Sequence, residues 1–284
     1  MKILEKKPLS EYTTFKMGGV AELMYVPETV QELSDCYKTH PSIFNYIIGG
    51  GSNLLINDEK SFDEVLSLRE FNQLIDDKGD GRYYIGASVR LQKAIVRVNQ
   101  DGYGGIEYLF SVPGLIGGAV FMNAGRGKKH NKCISDFILE VDYLENGEIK
   151  TLSREDCCFS YRSSVFQRMN HVIIIGATFQ FAKISQEESM TAINERIELC
   201  KRVQDMSYPN FGTVFCESNK YIIRIAKILN WGYKDGVAYS SKTANWLLNR
   251  EKGTFVQAVS LIKRMEKVHR IFRQNCRSEV IIWK

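Results

Sequence analysis

The segment Ile48-Gly49-Gly50-Gly51-Ser52-Asn53-Leu54 constrains this chain more than any other stretch. A short apolar run, Tyr46-Ile47-Ile48, enters three glycines, and a second, Leu54-Leu55-Ile56, leaves them. The chain must turn here in conformations that glycine tolerates best. Glycines also let backbone N–H groups approach a phosphate closely, and Ser52 and Asn53 add hydroxyl and amide donors. The loop is not a dinucleotide fingerprint, because Leu54 stands where the third glycine of G-x-G-x-x-G belongs. Nor is it a P-loop, since no Gly-Lys-Ser/Thr follows. Alone, it reads equally well as a plain tight turn. A second glycine loop lies about sixty positions on, Val112-Pro113-Gly114-Leu115-Ile116-Gly117-Gly118-Ala119, ending in Met122-Asn123-Ala124-Gly125. Two such loops, each beside an apolar segment, suit one ligand with two phosphates; two independent turns are the plain alternative.

Around these loops the chain alternates between helix and strand signals. Thr29-Val30-Gln31-Glu32 reads as a capping box, followed by Val30, Leu33, Cys36 and Tyr37 on one helical face. Tyr83 to Ala87 is a strand, and Leu91, Ile95 and Val98 mark a helix. Residues 137–152 alternate around Glu145-Asn146-Gly147-Glu148, a hairpin signal. Val172 to Phe181 is another strand. Polarity rises after Ala182, and Gln186 to Asp205 reads as a charged helical connection at a domain boundary. Thr254 caps a last helix that places Phe255, Val259, Ile262, Met265, Ile271 and Phe272 roughly on one face. The chain ends in the strand Val280-Ile281-Ile282-Trp283.

The bulk numbers exclude several classes. At 284 residues the chain has room for two or three packed modules and needs no covalent staples. The net charge of +5 is mild, and the basic runs are short, scattered pairs such as Lys128-Lys129 and Lys263-Arg264, so no nucleic-acid footprint emerges. The seven cysteines include no Cys-x-x-Cys, and neither they nor the four histidines show metal-ligand spacing. Reduced thiols in a cytoplasmic protein, with no metal, are the expectation. No stretch is long enough to span a membrane, and Met1 to Lys7 does not resemble a signal peptide. Neither a nucleic-acid nor a membrane partner is expected.

Thr13-Thr14-Phe15-Lys16-Met17-Gly18-Gly19, the GGGSNLL loop, and Val112-Pro113-Gly114 through Asn123-Ala124-Gly125 resemble three successive motifs of the enolpyruvylglucosamine reductases. The resemblance continues in order through Tyr161-Arg162-Ser163-Ser164, Pro209 to Phe215, Ala244 to Asn249, and Ser278-Glu279-Val280. It covers nearly the whole chain, whose length matches the shorter of the family's two subtypes. The implied fold is α+β: a two-part FAD-binding domain of the vanillyl-alcohol-oxidase/MurB type and a smaller α+β substrate-binding domain. The implied boundaries are 1–182, joined by a C-terminal strand at 276–284, for the first, and 196–275 for the second.

The resemblance also implies the chemistry. NADPH reduces noncovalent FAD, and the reduced flavin then passes hydride to the enolpyruvyl ether of UDP-N-acetylglucosamine. Gly49, Gly50, Gly51, Ser52, Asn53, Pro113, Gly114, Gly117, Gly118 and Asn123 match the cofactor-binding positions. Arg162 and Glu279 match residues that stabilise an enolate, and Thr213 matches the serine that donates a proton. Arg162 is suited to hold a carboxylate bidentately. The family pattern Gly-Ser-x-Phe-Lys-Asn-Pro reads here Gly212-Thr213-Val214-Phe215-Cys216-Glu217-Ser218. A lysine is thereby lost and Glu217 gained where a nucleotide diphosphate is expected. Thr243 replaces a histidine, and residues 126–133 depart from the usual Ala-Tyr-Gly. Cys216 is a second candidate acid. His130 and Cys133 are candidates for a covalent flavin link, which the closer family does not use. A MurB-like paralogue acting on another unsaturated substrate, and a flavin protein without turnover, are the competing readings. A monomer is expected.

Overall fold

A computed structural model describes residues 1–126, 132–229 and 231–284. Lys128, Lys129 and His130 lie outside the described residues. Two compact units emerge: Met1–Leu4, Met24–Gly50 and Glu64–Cys200 form the first, and Glu5–Leu23, Gly51–Asp63 and Lys201–Lys284 the second. The units are interleaved in sequence because the strands Lys2–Pro8, Val20–Val26 and Ser61–Ser67 each begin in one and end in the other. The expected division instead placed one boundary between residues 182 and 196.

The first unit is built on a five-stranded antiparallel sheet. Its order is Glu148–Ser153, Ile138–Glu145, Ile173–Gln180, Arg82–Gly86, Ile75–Asp77. The central strand Ile173–Gln180 is buried along its length save Gln180, which is why its sequence runs apolar rather than alternating. The hairpin turns through Asn146 (φ 53°) and Gly147 (φ 79°), the backbone that an Asn-Gly pair favours between twisted strands. Among the described residues, four helices accompany the sheet: α1 (Val30–Thr39), α2 (Leu91–Gln100), α3 (Ile116–Phe121) and α4 (Gln186–Val203). Thr29 caps α1 by accepting from the Glu32 N–H at 3.2 Å, while the Glu32 carboxylate reaches back to the Glu28 N–H at 2.8 Å. Leu91, Ala94, Ile95 and Val98 of α2 recur at helical spacing and are buried in the core with Tyr83, Ile85, Ile116, Val120 and Phe179.

Helix α4 is the charged segment read above as a connection. Ser189, Ile193 and Cys200 are buried, and the Ser189 hydroxyl donates to the Glu107 carboxylate at 3.1 Å. These anchors bring α4 through Cys200 into the first unit.

The second unit carries a four-stranded antiparallel sheet in the order Asn210–Thr213, Trp246–Asn249, Val237–Tyr239, Tyr233–Lys234. Helices α5 (Lys220–Ile228) and α6 (Phe255–Ile271) belong to the same unit. Thr254 and Gln257 form a reciprocal capping box at the start of α6. Ala258, Leu261, Ile262 and Met265 bury its inner face, with Phe15, Leu55, Phe211, Val214 and Phe215 in the same core. Ile271 and Phe272, expected on that face, are exposed, because the helix ends at Ile271. His269 is fully buried: its Nδ1 meets the Met265 carbonyl at 2.8 Å and its Nε2 accepts from the Asn219 N–H at 3.0 Å. It ties α6 to the cap of α5. The strand Ile281–Trp283 runs parallel to Leu54–Ile56. The fold is α+β, as the sequence leads one to expect. No described helix is long and apolar enough to cross a membrane.

Candidate functional site

The chain passes from the first unit to the second between Gly50 and Gly51, so the first glycine loop has two halves. In the first unit the Gly49 carbonyl accepts from Arg69 Nε at 3.2 Å. A Cβ on Gly50 would lie 3.2 Å from Gly114 Cα. The two loops singled out in the sequence therefore meet backbone to backbone, an approach that side chains would prevent. The second loop is held in turn by the approach to α2: the Leu91 N–H donates to Gly114 O at 3.2 Å, Ile116 N–H to Val89 O at 2.9 Å, and Gly117 N–H to Ala87 O at 2.8 Å. The Gly117 donor is thus engaged within the protein, and a Cβ there would press on Ala87 Cβ at 2.9 Å. Its glycine serves packing. Gly118 differs: it is exposed, and a Cβ would meet nothing within 4 Å. Pro113, also exposed, opens the loop.

Asn123 is buried with φ 43°; its amide donates to Ser160 O at 2.9 Å and accepts from the Ser135 N–H at 3.4 Å. It works as a pin between three segments, a role the sequence did not suggest. Arg162 sits in a tight turn closed by reciprocal Ser160 and Ser163 backbone bonds of 3.0 and 3.1 Å. Ser164 ties the turn to α3, donating to Phe121 O at 2.7 Å. Arg162 has φ 55°, in a region that a non-glycine residue seldom occupies, and its Nη2 donates to Gly125 O at 3.1 Å. Backbone strain of this kind concentrates at functional sites.

In the second unit, Thr14 N–H donates to Gly51 O at 3.0 Å, which joins the first motif to the glycine loop. Gly51 has φ 65°, and a Cβ there would fall 1.8 Å from Tyr12 O. Ser52 is half-buried in the turn that follows. Asn53 does structural work: its amide donates to Glu279 O at 2.7 Å, and its carbonyl accepts from Ile281 N–H at 3.0 Å. The Glu279 N–H donates onward to Val214 O at 2.9 Å, beside the Ser278 hydroxyl at 3.2 Å. Thr213 precedes Val214 and pairs with Trp246 across the sheet. Asn245 clamps the next residues: its carbonyl accepts from Val214 N–H at 2.9 Å, its Oδ1 from Phe215 N–H at 3.1 Å, and its Nδ2 donates to Phe215 O at 2.8 Å.

Thr213 and Glu279, far apart in sequence, thus stand on neighbouring segments joined by backbone bonds. Asn245 lay inside a motif quoted above without a role; a side-chain amide between two apolar strands is the signal that would have marked it as a backbone clamp. The Cys216 thiol donates to Arg277 O at 3.3 Å, and burial pushes its pKa up. Burial likewise raises that of Cys133, beside a cavity of about 410 Å³ lined also by Asn123, Asp136, Arg154 and Tyr161. Among the described residues no cluster of ligating side chains would hold a metal ion.

The residues present fit a flavin nucleotide. Gly50 against Gly114 leaves bare backbone at the meeting of two loops, and Gly118 faces open space. In the second unit, Thr14 Oγ1 is buried with no hydrogen-bond partner among the described residues. Residues 21–153 match the FAD binding domain family. A UDP-N-acetylenolpyruvoylglucosamine reductase from Carboxydothermus hydrogenoformans is 30% identical over 274 residues, covering 94% of this chain and 88% of that protein. The chain belongs to this reductase family. A member from Thermotoga maritima is 29% identical, with 97% and 96% covered. The crystal structure of the Thermus caldophilus enzyme superposes with a TM-score of 0.81 at 23% identity over the whole of both chains, so the fold is shared throughout. A 6-hydroxy-D-nicotine oxidase from Arthrobacter nicotinovorans aligns at a TM-score of 0.50 and 11% identity, covering 98% of this chain and 61% of that one. The reductase chain is accordingly an FAD-dependent oxidoreductase with the two-part flavin fold.

Proposed function

We propose that this chain reduces the enolpyruvyl ether of UDP-N-acetylglucosamine to the muramate form, with NADPH as reductant, in the cytoplasm, as a step of peptidoglycan precursor synthesis. The observation that carries the reading is the bond from Glu279 N–H to Val214 O, which sets a carboxyl group and the Thr213 hydroxyl on adjacent segments. Gly49, Gly50, Gly114 and Gly118 would hold FAD through bare backbone of the first unit. Bound FAD supplies the hydride that NADPH has delivered.

The protein's share begins with charge. Arg162 holds the substrate carboxylate and withdraws the negative charge that grows there as the double bond is reduced. Within the second unit, Glu279 adds a carboxyl group on the segment beside Thr213. Thr213 delivers the proton to the neighbouring carbon, acting as a positioned acid. Asn53, Ser278 and Asn245 touch none of the reacting atoms; they hold Glu279 and Thr213 in register. Its raised pKa leaves Cys133 mostly thiol at neutral pH, a poor partner for covalent flavin attachment, which supports noncovalent binding. On this reading residues 1–182 with 276–284 serve the flavin, and 196–275 the nucleotide sugar.

A second reading, a paralogue with another unsaturated substrate, has one observation in its favour. Glu217 stands where the family carries Asn of Lys-Asn-Pro, and its carboxylate accepts from Asn275 Nδ2 at 3.3 Å. The deciding experiment is anaerobic: reduce the purified holoprotein with NADPH, then add the enolpyruvyl sugar nucleotide and follow flavin absorbance. Rapid reoxidation is the expected result. Reduction without reoxidation would hand the site to a different substrate, and failure to bind FAD would remove both readings.

A further inference from the structure

Helix α5 is apolar on two sides, and the protein covers one of them. Ile222, Ile223 and Ala226 are buried in or beside the core of the second unit. Tyr221, Ile225, Ile228 and Leu229 follow one another at helical spacing on a different sector and face solvent, with Tyr221 61% and Ile228 83% exposed. Trp231 in the turn after the helix and Tyr233 at the start of the edge strand Tyr233–Lys234 add to it, 43% and 42% exposed. Single exposed apolar residues are ordinary; a stripe of four continued by two aromatics is not. Lys220 and Arg224 lie on the third sector of α5, and Lys234 follows Tyr233, whereas Lys227 is half-buried with its Nζ donating to Ser240 O. Residues 218–234 contain no Asp or Glu. Arg264 of α6 joins them, its Nη1 donating to Trp231 O at 3.3 Å.

We propose that this face of α5 and the turn at Trp231 dock on an anionic lipid surface. The occupant follows from the charge pattern. Apolar side chains flanked by cations, with Trp and Tyr at the margin, match the boundary between acyl chains and negative headgroups. A second copy of the chain would bring the same cations against each other across a two-fold axis, which opposes self-association through this face. The inference does not rest on the reductase reading. It departs from the expectation of no membrane partner, which considered spanning segments alone, and it places a soluble-substrate enzyme beside the membrane without inserting any helix across it.

The test uses the full-length holoprotein and phosphatidylcholine vesicles with and without phosphatidylglycerol, at low salt. Co-sedimentation with the phosphatidylglycerol vesicles alone is expected. Ile228→Glu, on an exposed side chain, and Arg224→Glu should each lower binding about tenfold while flavin reduction by NADPH in solution stays unchanged. Trp231 supplies a second readout, because Trp246 and Trp283 are buried: a blue shift of fluorescence on vesicle addition should vanish in Trp231→Phe while binding persists. No binding to anionic vesicles overturns the proposal, as does binding that survives both charge variants. Sedimentation velocity showing a dimer that Ile228→Glu dissolves, without vesicle binding, would assign the face to a second copy instead.

Discussion

Proton delivery is proposed for Thr213, and substitution tests it. Thr213→Val keeps the shape and deletes the proton. Substrate-dependent reoxidation should fall by about 10²–10⁴-fold, the usual worth of a positioned acid, with reduction by NADPH nearly untouched. Stopped-flow absorbance resolves the two half-reactions. Normal turnover in Thr213→Val with a dead Cys216→Ala would move the role to the thiol, which is protonated at neutral pH but already donates to Arg277 O. A second residue acts at a distance. Asp205 is buried, and burial alone would raise its pKa; hydrogen bonds from Ser207 and Ser240 outweigh that and hold it below the ordinary carboxylate range. The Ser240 hydroxyl, 2.5 Å from Asp205 Oδ2, in turn accepts from the Lys242 and Thr243 N–H groups, fixing the turn that leads to Asn245. With a depressed pKa, the stabilisation is present above the unfolded-state value and is lost as pH falls through the folded one. Asp205→Asn should therefore cost about 1.5–3 kcal/mol at neutral pH, and the gap to wild type should close below about pH 4. Urea melts across pH measure it; a gap that widened in acid would contradict the assignment.

At the scale of elements, the glycines of the two loops have separable reasons, and Gly118 gives the sharpest test. It lies inside the short helix α3 with open space around its missing Cβ. Gly118→Ala should raise the stability of the flavin-free protein by about 0.5–1 kcal/mol, as alanine does in a helix. If FAD approaches the backbone there, the same methyl weakens FAD binding, so apo stability and cofactor affinity should move in opposite directions. Thermal melts with and without FAD decide it; equal or tighter FAD binding would take Gly118 out of the cofactor site. Gly51→Ala should fail for a different reason, since its Cβ would collide with Tyr12 O at 1.8 Å in a left-handed backbone. That variant should lose fold and flavin together.

At the scale of the whole molecule, the last strand closes a long loop of chain. Ile281–Trp283 pairs with Leu54–Ile56, and Trp283 packs its ring against Phe62 at 5.7 Å between centroids. Asn57 N–H donates to Trp283 O at 3.0 Å. Deleting residues 281–284 removes this pairing and unmoors Asn53 from Ile281. It should lower the melting temperature and release FAD even though no deleted side chain is placed on the cofactor. Retention of flavin at wild-type affinity would show that Asn53 and Glu279 keep their places without the strand.

The sequence by itself determined the local vocabulary. Glycine pairs and triplets, the Thr29 and Thr254 caps, the Asn146-Gly147 turn and the apolar run at 173–180 act over a few residues, where steric limits and backbone hydrogen bonding leave few choices. Ordered motifs also carried the family, and with it Arg162, Thr213 and Glu279 as candidates. Other features only tertiary structure decided. The Gly117 N–H donates inside the protein because Ala87 happens to face it, and Asn53 and Asn123 serve as pins because distant backbone needs their amides. α4, as charged as a linker, packs on the first unit because Ser189 meets a buried Glu107. On α5 packing decides which apolar sector the protein covers and which it leaves to solvent. Such outcomes depend on partners separated by tens or hundreds of positions, and local periodicity holds no record of them.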